Sequence, residues 1–482
     1  MPEKNVFEGT ISRDFKSLDK QAVEVEKYAK GEEFDFYARY GYSKLAEREK
    51  EFSEMMGSAD CALFNDGMAA IDTAIEAEGL KIGDVVICAK EMYEQSNAIV
   101  DTMKNRGVEV IAVDPGNMEE IAEVIETKKP RLIFLESVAN SQDMQVCDIK
   151  RLMSIAESAN RDYRENLTSE KLIEKYFSIK NYPLVTPASG PQDPSAEKVP
   201  NSKAGSELGN LKKMLSEEIS EFEEGKNPFV FRKALREFER QTGCGREESI
   251  REISKAVRYV RKNSREKLSV IIDNTLPSPV LYNPLEDVKG SPVELVVVES
   301  ATKHYQAGRD KITMGVAYSD NAEKIKEIKK FRAMIGSYLQ PIAEKEIPKD
   351  LMGIMPEIMK RHAENALELA KMLSGSGKVG EVEHPNLPEH AQSELAKEIA
   401  PEGLVTLFNI KIADAPQFVK TLKEIAGDKI GLGGSFGHPK TWVLSLGEYW
   451  PERIRIAAGS ETEEEFKEIL DIFKKALETY ET

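Results

Sequence analysis

Cysteine is scarce in this chain and never closely paired. The four present, Cys61, Cys88, Cys147 and Cys244, form no C-x-x-C motif, which argues against a thioredoxin-like redox pair or a zinc ribbon. Three of them lie in or beside apolar, strand-like text, where a reduced thiol packs as a small hydrophobe. The five histidines, His304, His362, His384, His390 and His438, make no H-E-x-x-H or H-x-H cluster, so no metal site is expected. Basic charge is in deficit as well. Lys and Arg number 67 against 84 Asp and Glu, a net charge of -17, which argues against nucleic acid or an anionic membrane as partner. No apolar run is long enough to span a bilayer, and the opening "MPEKNVFEGTISRDF" lacks the apolar core of a signal peptide. The cytoplasm is the expected compartment.

What is present reads as a soluble globular chain of two or three domains, with 482 residues, 40% hydrophobic and 31% charged. From about residue 60 short apolar runs alternate with helical spacing. "CALFN", "DVVICAK", "VEVIAVD" and "PRLIFLES" read as strands; "GMAAIDTAIEAEGL", "EQSNAIVDTMKNRG" and "MEEIAEVIETK" read as helices between them. Continuous apolar strands separated by helices predict a mostly parallel sheet covered on both faces. The rhythm breaks near residue 161. Up to residue 267 the text turns Pro-, Ser- and charge-rich, and "NYPLVTPASGPQDPSAEKVPNSKAGSELG" predicts a mobile loop. A hundred such residues exceed any ordinary loop and predict an inserted subdomain. The sheet resumes at "KLSVIIDNT". A long helical stretch is expected from about Asn321 to Met372, and a small α+β domain after it.

Ligands of such sheets bind at the carboxyl ends of strands. Four short texts stand there: "NDGMAA", "ESVAN", "DNTLP" and "ESATKH". The last holds Lys303 behind a run of valines. A lysine at a strand end is commonly a surface charge, but one beside a desolvated pocket has a lowered pKa and becomes a usable amine. Such an amine can form a Schiff base with an aldehyde cofactor, for which pyridoxal 5'-phosphate (PLP) is the obvious candidate. The other strand ends hold what that cofactor needs. Asp273 can keep a pyridine nitrogen protonated, or simply form a turn. Gly67 and Met68 open a helix whose free N–H groups suit a phosphate. Ser300 and Thr302 can add hydroxyl donors, and Tyr93 can lie over a ring; each is also compatible with a purely structural place.

These motifs, in this order, resemble the PLP-dependent Cys/Met metabolism (trans-sulfuration) family, the cystathionine γ-synthase, cystathionine γ-lyase and methionine γ-lyase group. "FYARYGYSKLAEREKEFSEMMGS", "FNDGMAAI", "ESVANSQDMQVCDI", "VIIDNTLPSPVLYNPLE", "ESATKHYQAGRD", "HPNLPEHAQSELAKE" and "RIRIAAGSE" carry the resemblance. It implies the α/β transferase fold type I of PLP enzymes, with a mostly parallel central sheet between helices and a C-terminal α+β domain. It also implies an N-terminal arm over residues 1–55, a PLP-binding domain over 56–160 and 268–330, and a small domain over 331–482, leaving 161–267 as the insert. Lys303 would be the Schiff-base lysine and proton shuttle, Asp273 the partner of the pyridine nitrogen, and Tyr93 the ring-stacking group. Gly67, Met68, Ser300 and Thr302 would hold the phosphate, with Tyr37 and Arg39 reaching it from a neighbouring subunit. Asn140 would sit near the ring oxygen. Arg455, rather than its neighbour Arg453, would bind the substrate carboxylate, with Ser435 beside it. A homo-oligomer, a dimer sharing active sites and commonly a tetramer, is implied too.

The chain also departs from the family pattern. Asp66 stands where a serine is usual, and its preferred reading is an N-cap turned away from the phosphate. No proline follows Asn140, Arg309 enters the segment after the lysine, and the loop before the late "HP" is shortened to "LGGSFGHP". Two functions stay open on the residues alone: a lyase or transferase acting at Cβ or Cγ of cystathionine-, methionine- or homoserine-like substrates, and a catalytically lapsed scaffold that uses the insert for interactions.

Overall fold

A computed structural model describes residues 38–166, 232–263, 267–447 and 452–480, with isolated positions at 26, 27, 30, 173, 176, 177, 213–215 and 450. Tyr37 and the Pro- and Ser-rich loop of the insert lie outside the described residues. Seven strands form the larger sheet: β1 (Asp60–Phe64), β2 (Val85–Ala89), β3 (Glu109–Val113), β4 (Leu132–Glu136), β5 (Ser269–Asp273), β6 (Leu295–Glu299) and β7 (Gly315–Ser319). Their order is β1-β7-β6-β5-β4-β2-β3. All neighbours from β6 to β3 pair in parallel; β7 runs antiparallel to both β6 and β1. β4, β5 and β6 are buried along their whole length, whereas the edge strand β3 is largely uncovered. That is why "LIFL", "SVII" and "LVVV" read as unbroken apolar runs: both faces are dry.

Helices α1 (Ser43–Met56), α2 (Gly67–Glu76), α3 (Glu94–Asn105), α4 (Met118–Lys128) and α5 (Ile149–Asn166) alternate with the first strands as the periodicity predicts. Within residues 161–267, α6 (Arg232–Thr242) and α7 (Arg246–Asn263) pack on each other. They share a small core of their own, including Ile173, Phe177, Phe238 and Ile253. The single helix expected over 321–372 is broken into α8 (Ala322–Ile335) and α9 (Leu351–Ser374), with a four-residue helical turn, Pro341–Glu344, between them. Gly336 ends the first in the left-handed conformation at φ 77, a cap that favours glycine. The chain after it folds back on β1, with Leu339 N donating to Leu63 O.

A second sheet follows, of β8 (Glu381–Glu383), β9 (Leu407–Lys411), β10 (Gly431–Leu432), β11 (Trp442–Ser445) and β12 (Arg453–Ala457), ordered β10-β11-β12-β9-β8. Helix α10 (Ala415–Ala426) packs on α11 (Glu463–Thr479) beside it. Thr462 and Glu465 close a reciprocal capping box at the start of α11, which is the arrangement its sequence predicts. The architecture is thus the expected α/β one, a mostly parallel sheet between helices followed by an α+β unit. No helix among the described residues is long and apolar enough to cross a membrane.

One close approach holds the turn between β1 and α2. A Cβ on Gly315, the first residue of β7, would come within 2.2 Å of the Asp66 carbonyl oxygen and 2.9 Å of Gly67 Cα. Gly315→Ala must therefore push the turn outward, and it is expected to lower stability by roughly 1–3 kcal/mol. Urea denaturation of the two proteins checks this; an unchanged midpoint would mean that the turn yields freely.

Candidate active site

The strand directions gather the site. β1, β2, β4, β5 and β6 all point their carboxyl ends to one edge of the sheet, as the pairings require. A cavity of about 230 Å³ opens there, lined by Asp66, Gly67 and Met68 after β1, Tyr93 and Gln95 after β2, and Glu136, Val138 and Asn140 from β4 onward. Asp273, Thr275 and Leu276 line it from β5, and Ser300, Thr302 and Lys303 from the end of β6. Thr313, Gly434 and Phe436 complete it with Arg455 of β12. A larger cavity beside Cys147 and Tyr282 contains none of these groups.

Lys303 is largely withdrawn from water. Its Nζ donates to Ser435 Oγ at 3.0 Å and lies 5.3 Å from the Phe436 ring centre. Burial pushes its pKa down, against the opposing pull of Asp310 and Asp66, so more of the amine is neutral and nucleophilic at a given pH. Asp273 is the last residue of β5 and is buried. Its Oδ1 accepts from Thr275 N at 2.9 Å and from Thr275 Oγ1 at 2.5 Å. Burial still wins over those bonds and raises the carboxyl above the usual carboxylate range. Thr275 Oγ1 also accepts from Ser300 N at 2.8 Å, so one hydroxyl ties the Asp273 carboxylate to the strand end that leads to Lys303.

Glu136 was not singled out by the sequence reading, although "LES" marks a strand end. It faces Asp273 in the ladder. Its two oxygens accept from Tyr93 N at 2.9 Å and Asn140 N at 2.6 Å. One buried carboxylate thus positions the loops that carry both residues. Burial, then the charge of Asp273, raises its pKa. Asn140 Oδ1 in turn accepts from Arg455 Nη2 at 2.6 Å. Arg455 is pushed down to about 10 by burial, with Glu136 opposing. Arg453, two residues earlier, is tied instead to Glu381 and Glu383.

Gly67 and Met68 start α2, and Asp66 caps it by accepting from Met68 N at 2.8 Å. The cap is as expected; its orientation is not. Asp66 lines the cavity rather than turning away from it. A Cβ on Gly67 would meet Ser300 Cβ at 2.7 Å, so only glycine lets the helix start close against the Ser300 turn. Thr302 Oγ1 is engaged within the chain, donating to Met314 O at 3.2 Å and accepting from Met314 N at 2.9 Å. Tyr93 is 40% exposed at the mouth. Ser435 meets the cavity through Lys303. Arg39 is half-buried in the short helix Ala38–Tyr40 and is not among the residues that line this cavity.

Comparison with known proteins finds a matching family model, curated relatives and solved structures of the same fold. A family model described as Cys/Met metabolism PLP-dependent enzyme matches residues 10–163 and 246–443, leaving 164–245 unmatched, so the match takes in the last part of the 161–267 stretch. A cystathionine β-lyase of Coxiella burnetii is 35% identical over 136 residues, 28% of this chain and 33% of the relative. An L-methionine γ-lyase of Pseudomonas deceptionensis is 30% identical over 178 residues, 36% of this chain and 42% of the relative. These alignments span well under two thirds of the relatives' length. Crystal structures of cystathionine γ-synthase from Xanthomonas oryzae and cystathionine γ-lyase from Lactobacillus plantarum superpose with a TM-score of 0.62 over 92% of this chain, at 16% and 17% identity. They cover 87% and 88% of those chains and share the fold. The donor set fits PLP: a half-buried amine of lowered basicity, a buried carboxylate lining the same cavity, an exposed tyrosine ring, and a helix start that glycine lets pack close against Ser300. Asp66 is the departure.

In cofactor-free protein, Glu136 and Asp273 keep their protons at pH values where the unfolded chain has released them. Their contribution to stability is therefore fully present below about pH 4 and declines as pH climbs through the folded-state values. Glu136→Gln should flatten that decline by up to about 1.4 kcal/mol per pH unit. Denaturation midpoints between acid and neutral pH test it; parallel curves for the two proteins would contradict the buried pair.

Proposed function

The chain belongs to the Cys/Met metabolism PLP-dependent enzyme family, and from that premise we propose that it is a lyase or transferase of sulfur amino acids. Its substrates are cystathionine-, methionine- or homoserine-like amino acids, from which it eliminates or replaces a group at Cβ or Cγ. The observation that carries this reading is the common cavity of Lys303, Asp273 and Arg455: an amine of lowered basicity, a buried acid and a buried cation.

PLP, when bound, supplies an aldehyde carbon for amines and a heterocycle that withdraws electrons from the substrate's Cα. The chain's own groups do the rest. Asp273 would hold a positive charge on the ring nitrogen, and Tyr93 would cover the ring at the mouth. Gly67, Met68, Ser300 and Thr302 would hold the phosphate end, although Met68 N and the Thr302 hydroxyl are engaged within the chain by Asp66 and Met314. Arg455, steadied by Asn140, orients the substrate through its α-carboxylate, for which a guanidinium fork is well matched. Lys303 Nζ takes the Cα proton and returns it at a neighbouring carbon, with Ser435 Oγ directing the amine between the two positions. Phe436 keeps water from that path.

The active unit we infer is a cytoplasmic homo-oligomer, at least a dimer, in which Tyr37 and Arg39 of one subunit reach the phosphate end of its neighbour's site. Four free cysteines support a reducing compartment. Borohydride reduction of the protein mixed with PLP should fix a pyridoxyl label on Lys303, and Lys303→Ala should abolish turnover with the fold intact. Arg455→Ala should raise KM for amino acids by roughly 10- to 100-fold. The decisive assay is a panel of cystathionine, methionine, cysteine and activated homoserines scored for keto acid and thiol. A labelled Lys303 with no turnover of any of them would sink the substrate class.

A further inference from the structure

The phosphate end of the cavity carries a negative charge of its own. Asp66 Oδ1 accepts from Met68 N at 2.8 Å, so it occupies one of the free helix-start N–H groups that an anion there would use. The carboxylate is held in place by the turn around it. Its backbone has the extended N-cap conformation at φ -159 and ψ 155. Thr313 Oγ1 donates to Asn65 O at 2.7 Å, and Asn65 N donates to Ser337 O at 3.0 Å. Gly315 lies against the Asp66 carbonyl and Gly67 against Ser300. Asp66 cannot swing out without giving up its cap.

Among the described residues of the same subunit little at this end offsets the charge, and Arg39 of a neighbouring subunit, on the proposed oligomer, would be shared between Asp66 and the phosphate. The Thr302 hydroxyl is engaged with Met314. The cationic side chains that line the cavity are Lys303 and Arg455; the first is assigned to the aldehyde and the second to the substrate carboxylate. The reach of the Asp66 charge is visible in its neighbours, since it pulls the pKa of Lys303 and of Tyr93 upward against or along with burial.

We propose that Asp66 is a specificity residue for the cofactor: by holding one helix N–H and one negative charge at the phosphate end, it disfavours the phosphate dianion and narrows the preference for PLP over its dephosphorylated form, pyridoxal. The proposal rests on the PLP reading of the site and adds to it how strongly this chain uses the phosphate. It concerns binding, and its test needs no turnover.

The experiment titrates wild-type, Asp66→Asn and Asp66→Ser proteins, each stripped of cofactor, with PLP and separately with pyridoxal, following tryptophan fluorescence and the absorbance of the bound aldehyde. Both variants retain an N-cap acceptor, and their melting curves should overlay the wild type within a few degrees. The expected result is a Kd for PLP about tenfold lower or better in both variants, the effect of removing a unit charge beside an anion in a partly buried site. The Kd for pyridoxal should move by less than about threefold, since pyridoxal brings no anion. Equal PLP affinity in all three proteins, or an equal gain for pyridoxal, would overturn the proposal and leave the PLP reading standing. Failure of both aldehydes to bind any of the three would overturn both together.

Discussion

Three neighbouring parallel strands, β4, β5 and β6, each end in an acid: "LIFLE", "SVIID" and "LVVVE". The ladder register sets Glu136 opposite Asp273 and Asp273 opposite Val298, with Glu299 one residue further. Their burial on both faces denies all three carboxyls bulk water, and each is buried to within a few per cent. Everything at the active edge is arranged around that constraint. An acid kept from water must be hydrogen-bonded or stay protonated. Glu136 takes two backbone N–H groups, from the loops bearing Tyr93 and Asn140. Asp273 takes two bonds from Thr275. Glu299 takes the hydroxyls of Tyr305 and Tyr318 and the amide of Asn274, and burial still pushes it up to about 8.

These bonds do more than solvate acids. Each fixes a piece of the site whose position the sheet alone would leave loose. Glu136 sets the backbone at Tyr93 and Asn140; Asn140 then holds Arg455, which comes from the second sheet. Thr275 joins the Asp273 carboxylate to the strand end before Lys303. The path from one sheet to the other across the cavity is thus a chain of hydrogen bonds through named side chains. A tightly satisfied polar network of this kind gives the site one geometry, which is what a reaction dependent on orientation requires.

The groups legible in the sequence were those whose chemistry and position coincide. Lys303 and Asp273 stand where unbroken apolar runs stop, and the strand period locates them without any contact information. Gly67 and Met68 open a helix directly after a strand. Glu136 stands in an equivalent place, yet its partners are backbone N–H groups 43 and 4 residues away, and no spacing rule points to them. The choice of Arg455 over Arg453 rested on a motif; alternation puts both on one face of β12, and only the second sheet shows that Arg453 is matched to Glu381 and Glu383. The split of the helix after Ile335 was hidden because helical spacing resumes so soon beyond Gly336. The same locality explains Asp66. Its capping role is written in its own neighbourhood, whereas the side it faces depends on Gly315, Ser300 and Ser337, far along the chain.

The two cavity cations differ in what surrounds them, and the difference bears on how a substrate enters. Lys303 Nζ is met by a hydroxyl and an aromatic ring, weak company for a full charge, so burial drives it toward the neutral amine. Arg455 cannot take that course at neutral pH, because even lowered to about 10 it stays protonated. Its closest bonds go to neutral amide oxygens, at 2.6 Å to Asn140 and 3.5 Å to Asn409. A guanidinium held by amides has a direction but, among the described residues, no counter-ion in contact. On the proposed reading an incoming α-carboxylate would bring that counter-ion, and the desolvation cost of Arg455, already met in folding, would become affinity for the substrate. On that reading the chain keeps charge unmatched where the substrate would bind and removes it where a nucleophile would be needed, although its overall charge is -17.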